Sequence, residues 1–354
     1  MLVAGAWVAA VAVPVGVVAS RLRRGPLWPV WRPWRVPWGG FEVVAGFLVL
    51  TAVVPEVVLA GLTGSGFYRA VYGGGFPALA AEQAPPVGAA AAVAGAAAAE
   101  TIHSEFQTAA VVRQLWAGLL AVPFQLGLLA LAARLLYPNW RRPRPPAPAT
   151  AVLLGVLAWV VLAPTVLVVN LGVNLLFTHF EVTPDSHQLT RLGGRPLLDS
   201  VVFLVQACVA APLLEEVLFR GVVLPWVLAA RKPRPVADVP RHARPGLVVA
   251  LGVVFAALTG RPGPVVFAVV LAGGLLVTLR VWRSKRRTAG AVYSSAALFA
   301  AVHSAVWPSP VPLFLFGLGL GWLAVRTRGV LTPVLVHGLF NAVSTVYVLR
   351  GGPV

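Results

Sequence analysis

Apolar runs of bilayer length recur along nearly the whole chain, and nothing else in the sequence restricts its fold so strongly. They lie at approximately 2–19, 41–63, 110–134, 151–176, 200–229, 246–260, 264–281, 290–306, 311–325 and 331–349. A helix needs roughly 20 apolar residues to cross the hydrocarbon core. Within lipid every backbone amide must find its partner inside the protein, and such runs do so as helices. The chain is 58% hydrophobic and only 11% charged, with a mean hydropathy of +0.84, against about a quarter charged in soluble domains. The expected fold class is all-α: a polytopic transmembrane helical bundle of about eight to ten spans. Runs 246–260 and 311–325 are the shortest and leave the count open to re-entrant or merged segments.

Net charge is +17, which in a soluble protein would suggest nucleic acid. Here the basic residues sit in short loops between apolar runs, with no basic face, so no nucleic-acid partner is expected. Loop 20–40 carries Arg21, Arg23, Arg24, Arg32 and Arg35, and loop 134–150 carries Arg134, Arg141, Arg142 and Arg144. Loop 230–245 carries Arg231, Lys232, Arg234, Arg241 and Arg244, and loop 280–289 carries Arg280, Arg283, Lys285, Arg286 and Arg287. With Arg326 and Arg328 they make 21 of the 28 basic residues, and all fall on one side if ten runs cross. The positive-inside bias makes that side cytoplasmic and puts both termini outside. The Arg- and Gly-rich, Lys-poor composition points to a GC-rich bacterial genome and a cytoplasmic-membrane location. Run 2–19 has its charges after it and none before, so it reads as a retained span instead of a cleaved signal. Trp28, Trp31, Trp34 and Trp38 among prolines and arginines suggest an interfacial segment.

Polar residues inside these runs are the informative ones, because an ionisable side chain in a span costs at least a few kcal/mol. The run at 200–229 contains Glu215, Glu216 and Arg220. Glu216 and Arg220 are i,i+4 and share a helix face. Glu215 points about 100° away and is the freer carboxylate, the better general base for a proton from water. Run 290–306 carries Phe299 and His303, and run 331–349 carries His337 and Asn341, again in i,i+4 pairs. An imidazole and a carboxamide on adjacent turns can ligate a metal or donate to an oxyanion. Each element alone has a bland reading. A lone intramembrane histidine can bond a backbone carbonyl, and Glu-Glu with Arg can be an ion-pair clasp. Their conjunction on three helices of the C-terminal half favours a site. His179, Glu181, Asp185 and His187 form no ligand pattern and read as a polar loop. Cys208, the single cysteine, excludes an intrachain disulfide and reads as a small buried hydrophobe.

The order Glu215-Glu216-x-x-x-Arg220, Phe299-x-x-x-His303, His337-x-x-x-Asn341 on successive apolar helices resembles the CAAX-protease and bacteriocin-processing (CPBP) family of intramembrane endopeptidases. That family includes type 2 CAAX prenyl endopeptidases and lysostaphin-resistance-like proteins. Gly317-Leu-Gly-Leu-Gly-Trp322, Arg326-Thr-Arg-Gly and Leu331-Thr-Pro-Val-Leu-Val-His337 agree with it. The resemblance divides the chain into a transmembrane region, 1–195, with the Trp/Arg loop, and a CPBP-like protease domain, 196–349. It implies hydrolysis of a peptide bond in a membrane-associated or C-terminal peptide. Glu215 would activate the water with help from His303. His337 and Asn341 would stabilise the oxyanion, and Glu216, Arg220 and Phe299 would support the site. Glu215, His303 and His337 would also suit Zn²⁺ with an open position for water, although the local His-Glu-x-x-His pair of common zinc proteases is missing. The expected partners are the lipid bilayer and a membrane-associated peptide or protein substrate. Between the first two motifs lies an extra hairpin, 246–281. Two other functions compete: a non-catalytic scaffold or immunity protein of the same fold, and a proton-coupled transporter, since Glu, His and Arg also build proton relays.

Overall fold

The computed structural model describes residues 36, 38–73, 96–138, 147–180, 197–229, 239–282 and 286–350. Its helices, in chain order, are α1 (Gly40–Gly64), α2 (Phe67–Tyr72), α3 (Ala96–Leu136), α4 (Pro148–His179) and α5 (Leu197–Leu228). They are followed by α6 (Arg244–Leu258), α7 (Pro262–Val281), α8 (Arg286–Val302), α9 (Pro310–Thr327) and α10 (Leu331–Leu349). No strand occurs among the described residues. The chain is an all-α, multi-pass integral membrane protein.

Nine of the ten expected runs correspond to described helices. The first, 2–19, lies outside the described residues, as do Trp28, Trp31 and Trp34 of the interfacial loop and Glu181, Asp185 and His187. Six helices are long and apolar enough to cross a bilayer: α1, α3, α4, α5, α7 and α9. These six are counted among the described residues, and run 2–19 lies outside them. Helices α6 and α10 are apolar but shorter. Helix α8 has 17 residues and begins with Arg286, Arg287 and Thr288. Its polar residues Thr288, Ser294 and Ser295 are buried, so protein, not lipid, surrounds them, and hydropathy undervalues the helix.

Two compact units make up the fold, and both are discontinuous in sequence: Met1–Ala45 with Tyr137–Ser186 and Glu215–Phe340, and Gly46–Leu136 with His187–Leu214 and Asn341–Val354. Each takes residues from both sides of the 195/196 boundary read from the motifs.

In the first unit α8 is the central element and packs against α6, α7 and α9. Its sequence explains why: Ala289, Ala291, Ala296, Ala297, Ala300 and Ala301 are all buried, and small side chains let helix backbones approach closely. Facing glycines complete the fit. A Cβ on Gly252 would stand 3.2 Å from Ala301 Cβ, and one on Gly321 3.2 Å from Val292 Cγ1. Buried Arg244 begins α6 by donating from Nη1 to the Trp226 carbonyl (2.9 Å) and from Nε to that of Val239 (3.1 Å). In the second unit, Tyr68, Ala109, Val112, Leu115, Val202 and Phe203 are core residues. Buried Gln125 donates to the Leu50 carbonyl at 2.6 Å, and the Tyr72 hydroxyl donates to buried Asp199 at 2.6 Å.

Candidate functional site

Helix α5 is not a uniform α-helix where it carries the carboxylates. Wide π-type turns occupy Gln206–Ala210 and Val217–Val223, and Ala211–Glu216 between them is α-helical. Such turns put local register changes into a helix and release carbonyls to other partners. Phe219 O, which takes the Leu224 N–H in the second wide turn, also accepts from the hydroxyl of Ser295 on α8 at 3.2 Å.

Glu216 and Arg220 form the buried end of the site. Nη1 of Arg220 donates to Glu216 Oε1 at 2.8 Å, and both side chains are fully buried. A buried charge is tolerated when paired and hydrogen-bonded, and this pair has further partners. Nη2 of Arg220 donates to the Gly317 carbonyl on α9 at 3.3 Å. Its guanidinium carbon lies 4.6 Å from the centroid of the Phe299 ring, a cation–π contact strengthened by desolvation. His337 Nδ1 lies 2.9 Å from the same Glu216 Oε1. With the proton assigned to Nδ1, one carboxylate oxygen accepts from an arginine one turn away and a histidine on α10.

Glu215 and His303 form the open end. The Glu215 side chain is 25% exposed and that of His303 34%, against 5% for His337. His303 Nδ1 stands 2.7 Å from the Phe299 carbonyl, so an Nδ1–H donates there and Nε2 stays free. Nε2 of His303 and Nε2 of His337 each lie 3.9 Å from Glu215 Oε2. That is too long for a direct hydrogen bond but leaves room for a bridging water. Oε2 of Glu215 has no hydrogen-bond partner among the described residues, and neither have Glu216 Oε2 or Arg220 Nε.

Phe299 ties the two ends together. Its ring lies 4.9 Å from that of His303, 5.7 Å from His337 and 5.3 Å from Phe219. Phe316 on α9 lies 5.4 Å from the His337 ring, also nearly perpendicular to it, and stacks on Phe340 at 4.4 Å. Two such aromatic contacts pack the imidazole.

Glu215, Glu216, Arg220, Phe299, His303 and His337 thus come together in the first unit. Asn341 falls in the second unit, where its Nδ2 donates to the Ala207 carbonyl at 2.8 Å. Three residues around the histidines were not singled out as site residues from sequence: Ser295, Phe316 and Gly317. The glycine run 317–321 was the available signal for the last. Zn²⁺ chemistry has partial support in the donors, two imidazoles with anchored Nδ1 atoms and an orphan carboxylate oxygen. Yet no group of three or more His, Cys, Asp or Glu side chains among the described residues forms a metal-holding cluster.

No curated protein and no solved structure matches the chain. A family model does: residues 197–290 and 279–343 match the model described as Type II CAAX prenyl endopeptidase Rce1-like. The matched stretches contain every motif residue of the first unit, together with Asn341. Over this C-terminal stretch the chain is similar to the Rce1-like family of CAAX-type prenyl endopeptidases.

Proposed function

We propose that the protein is an intramembrane endopeptidase in which Glu215 activates a water molecule against a peptide bond of a membrane-associated substrate. The observation that carries this reading is the unpartnered, buried Glu215 Oε2 facing two imidazole nitrogens at 3.9 Å each. A water there can donate one proton to Oε2 and the other to His303 Nε2, which aims its lone pair. Attack on the scissile carbonyl carbon passes the first proton to Glu215. His337, held at Nδ1 by Glu216 Oε1, faces the same space with Nε2 and would help to stabilise the developing oxyanion. Glu215 then returns its proton to the amine nitrogen as the C–N bond breaks. General-base help of this kind contributes about 10²–10⁴-fold. The oxyanion role of Asn341 rests on the family resemblance and is tested by substitution.

Zn²⁺ is the second reading, favoured by the anchored Nδ1 atoms of both histidines, since metal-bound histidines characteristically have their other nitrogen held in this way. Glu215, His303 and His337 would hold the ion, which when bound lowers the pKa of its water to about 7. The basic loops are assigned to the cytoplasmic side of a bacterial cytoplasmic membrane on the positive-inside bias. A cysteine placed in loop 230–245 and labelled from outside intact cells would reverse that assignment.

The deciding experiment presents membrane-tethered peptides to the purified protein in lipid nanodiscs, with and without chelator and added Zn²⁺. Cleavage indifferent to chelator supports the carboxylate-activated water. Cleavage lost to chelator and restored by Zn²⁺ supports the metal. A wild type that cleaves nothing across a broad library shifts the reading to a non-catalytic scaffold.

A further inference from the structure

The functional reading accounts for Glu216 as the anchor of His337, but leaves open what anchors Glu216. Among the described residues its other partner at Oε1 is Arg220, and a four-residue helical spacing alone leaves a long arginine several rotamers. Two things outside α5 select one. The Phe299 ring lies under the guanidinium at 4.6 Å, and the Gly317 carbonyl accepts from Nη2 at 3.3 Å. The second requires an unusual approach of α9 to α8. A Cβ at Gly317 would lie 3.1 Å from both Cα and Cβ of Ala296 and 3.3 Å from Phe299 Cδ1. Two of the three obstructing atoms are backbone or a Cβ and cannot rotate away, and the third belongs to the ring that Arg220, His303 and His337 all touch.

We propose that Gly317 is a positioning residue for the proposed peptidase reaction, its carbonyl fixing Arg220 so that Glu216 holds His337 in the reactive orientation. The chain of contacts runs Gly317 O, Arg220, Glu216 Oε1, His337 Nδ1, with spacings of 3.3, 2.8 and 2.9 Å. The role rests on the reading of Glu215 and His337 as an active site. It differs from simple small-residue packing because it acts through Arg220. A methyl group at Gly317 displaces the carbonyl from Nη2 and pushes on Phe299, loosening the guanidinium from both of its supports. Gly321, one turn further along α9, provides the contrast. Its Cβ would meet Val292 Cγ1 at 3.2 Å, a packing contact away from Arg220.

A double-mutant cycle tests this, because coupling energies isolate interactions that act as one unit. Gly317→Ala and Gly321→Ala are each made in the wild type and in Arg220→Lys, whose single ammonium can meet Glu216 but cannot also reach as a guanidinium fork. Thermal unfolding in nanodiscs and steady-state peptide cleavage are both measured. Gly317→Ala is expected to lower kcat about 10–100-fold with KM little changed, and to lose most of that effect in the Arg220→Lys background. Gly321→Ala is expected to cost the same in both. Equal costs of Gly317→Ala in both backgrounds, in kcat and in unfolding temperature, overturn the proposal in favour of packing alone. Should Gly317→Ala not fold, Gly317→Ala with Ala296→Gly removes one of the obstructing atoms and takes its place in the cycle. If the wild type does not cleave, the peptidase reading falls and the positioning role with it. The unfolding cycle then still decides whether Gly317 anchors Arg220.

Discussion

Glu215 and Glu216 are adjacent in sequence, yet they occupy opposite regions of one site. Glu216 is fully buried, accepts from Arg220 and sits 2.9 Å from His337. Glu215 is a quarter exposed and its Oε2 has no hydrogen-bond partner among the described residues. Two identical side chains one residue apart thus have different surroundings. In the proposed reaction the closed region, Glu216 with Arg220 and His337, holds geometry, and the open region, Glu215 with His303, does the chemistry. A buried pair is expensive to break and difficult to replace piecemeal. A carboxylate whose Oε2 makes no direct hydrogen bond costs folding little to remove. Stability and activity should therefore separate across this one-residue step.

The largest expected effect is on activity at the open end. Glu215→Ala should reduce cleavage at least about 10³-fold, the upper part of the general-base range, with an unfolding temperature near wild type. Loss of folding instead of activity would erase the distinction between the two carboxylates. Next comes the closed end. Arg220→Ala leaves Glu216 buried without its cation and should cost about 3–5 kcal/mol of stability, read as a lowered unfolding midpoint or loss of the monodisperse peak. Replacing both members, Glu216→Gln with Arg220→Met, should recover part of that stability, since apolar replacement of a whole buried pair is often tolerated. It should not recover activity, because His337 loses its carboxylate partner.

The oxyanion role proposed for Asn341 predicts a loss of about 10²–10³-fold in kcat for Asn341→Ala, the magnitude of one such donor. A change below threefold would remove Asn341 from the chemistry and leave it as a partner of Ala207. The smallest effect is expected outside the first unit altogether. Tyr72→Phe removes the hydroxyl that donates to Asp199 at 2.6 Å and accepts from Trp116 Nε1 at 2.8 Å. It should cost about 1–3 kcal/mol of stability, the range for stranding a buried polar partner, and leave kcat untouched. A fall in kcat there would mean that the second unit contributes to the reaction more than its own contacts indicate.

Much of the closed end was legible because it is local. The four-residue spacing put Glu216 and Arg220 on one face, and the same arithmetic turned Glu215 away. The all-α membrane class followed from the length of the apolar runs. Other features were hidden because they depend on contacts distant in sequence. Glu216 and His337 are 121 residues apart, and no spacing rule announces that they share an oxygen. The Gly317 carbonyl is a backbone group, so no side-chain motif marks it, and only the approach of α9 to α8 brings it to Arg220. The wide turns at Gln206–Ala210 and Val217–Val223 break the 3.6-residue register on which helical reading depends. Hydropathy also undervalues α8. Hydropathy measures what a helix would bury in lipid, whereas α8 buries Ser294 and Ser295 against other helices.

The central claim is that Glu215 activates the hydrolytic water. It is tested most directly by comparing wild type with the isosteric Glu215→Gln in nanodiscs, each at matched unfolding temperature, with a tethered peptide in ¹⁸O-labelled water. The account predicts one ¹⁸O in the new carboxylate of the wild-type product and at least about 10³-fold less product from the variant. Cleavage by Glu215→Gln within a few-fold of wild type would contradict it.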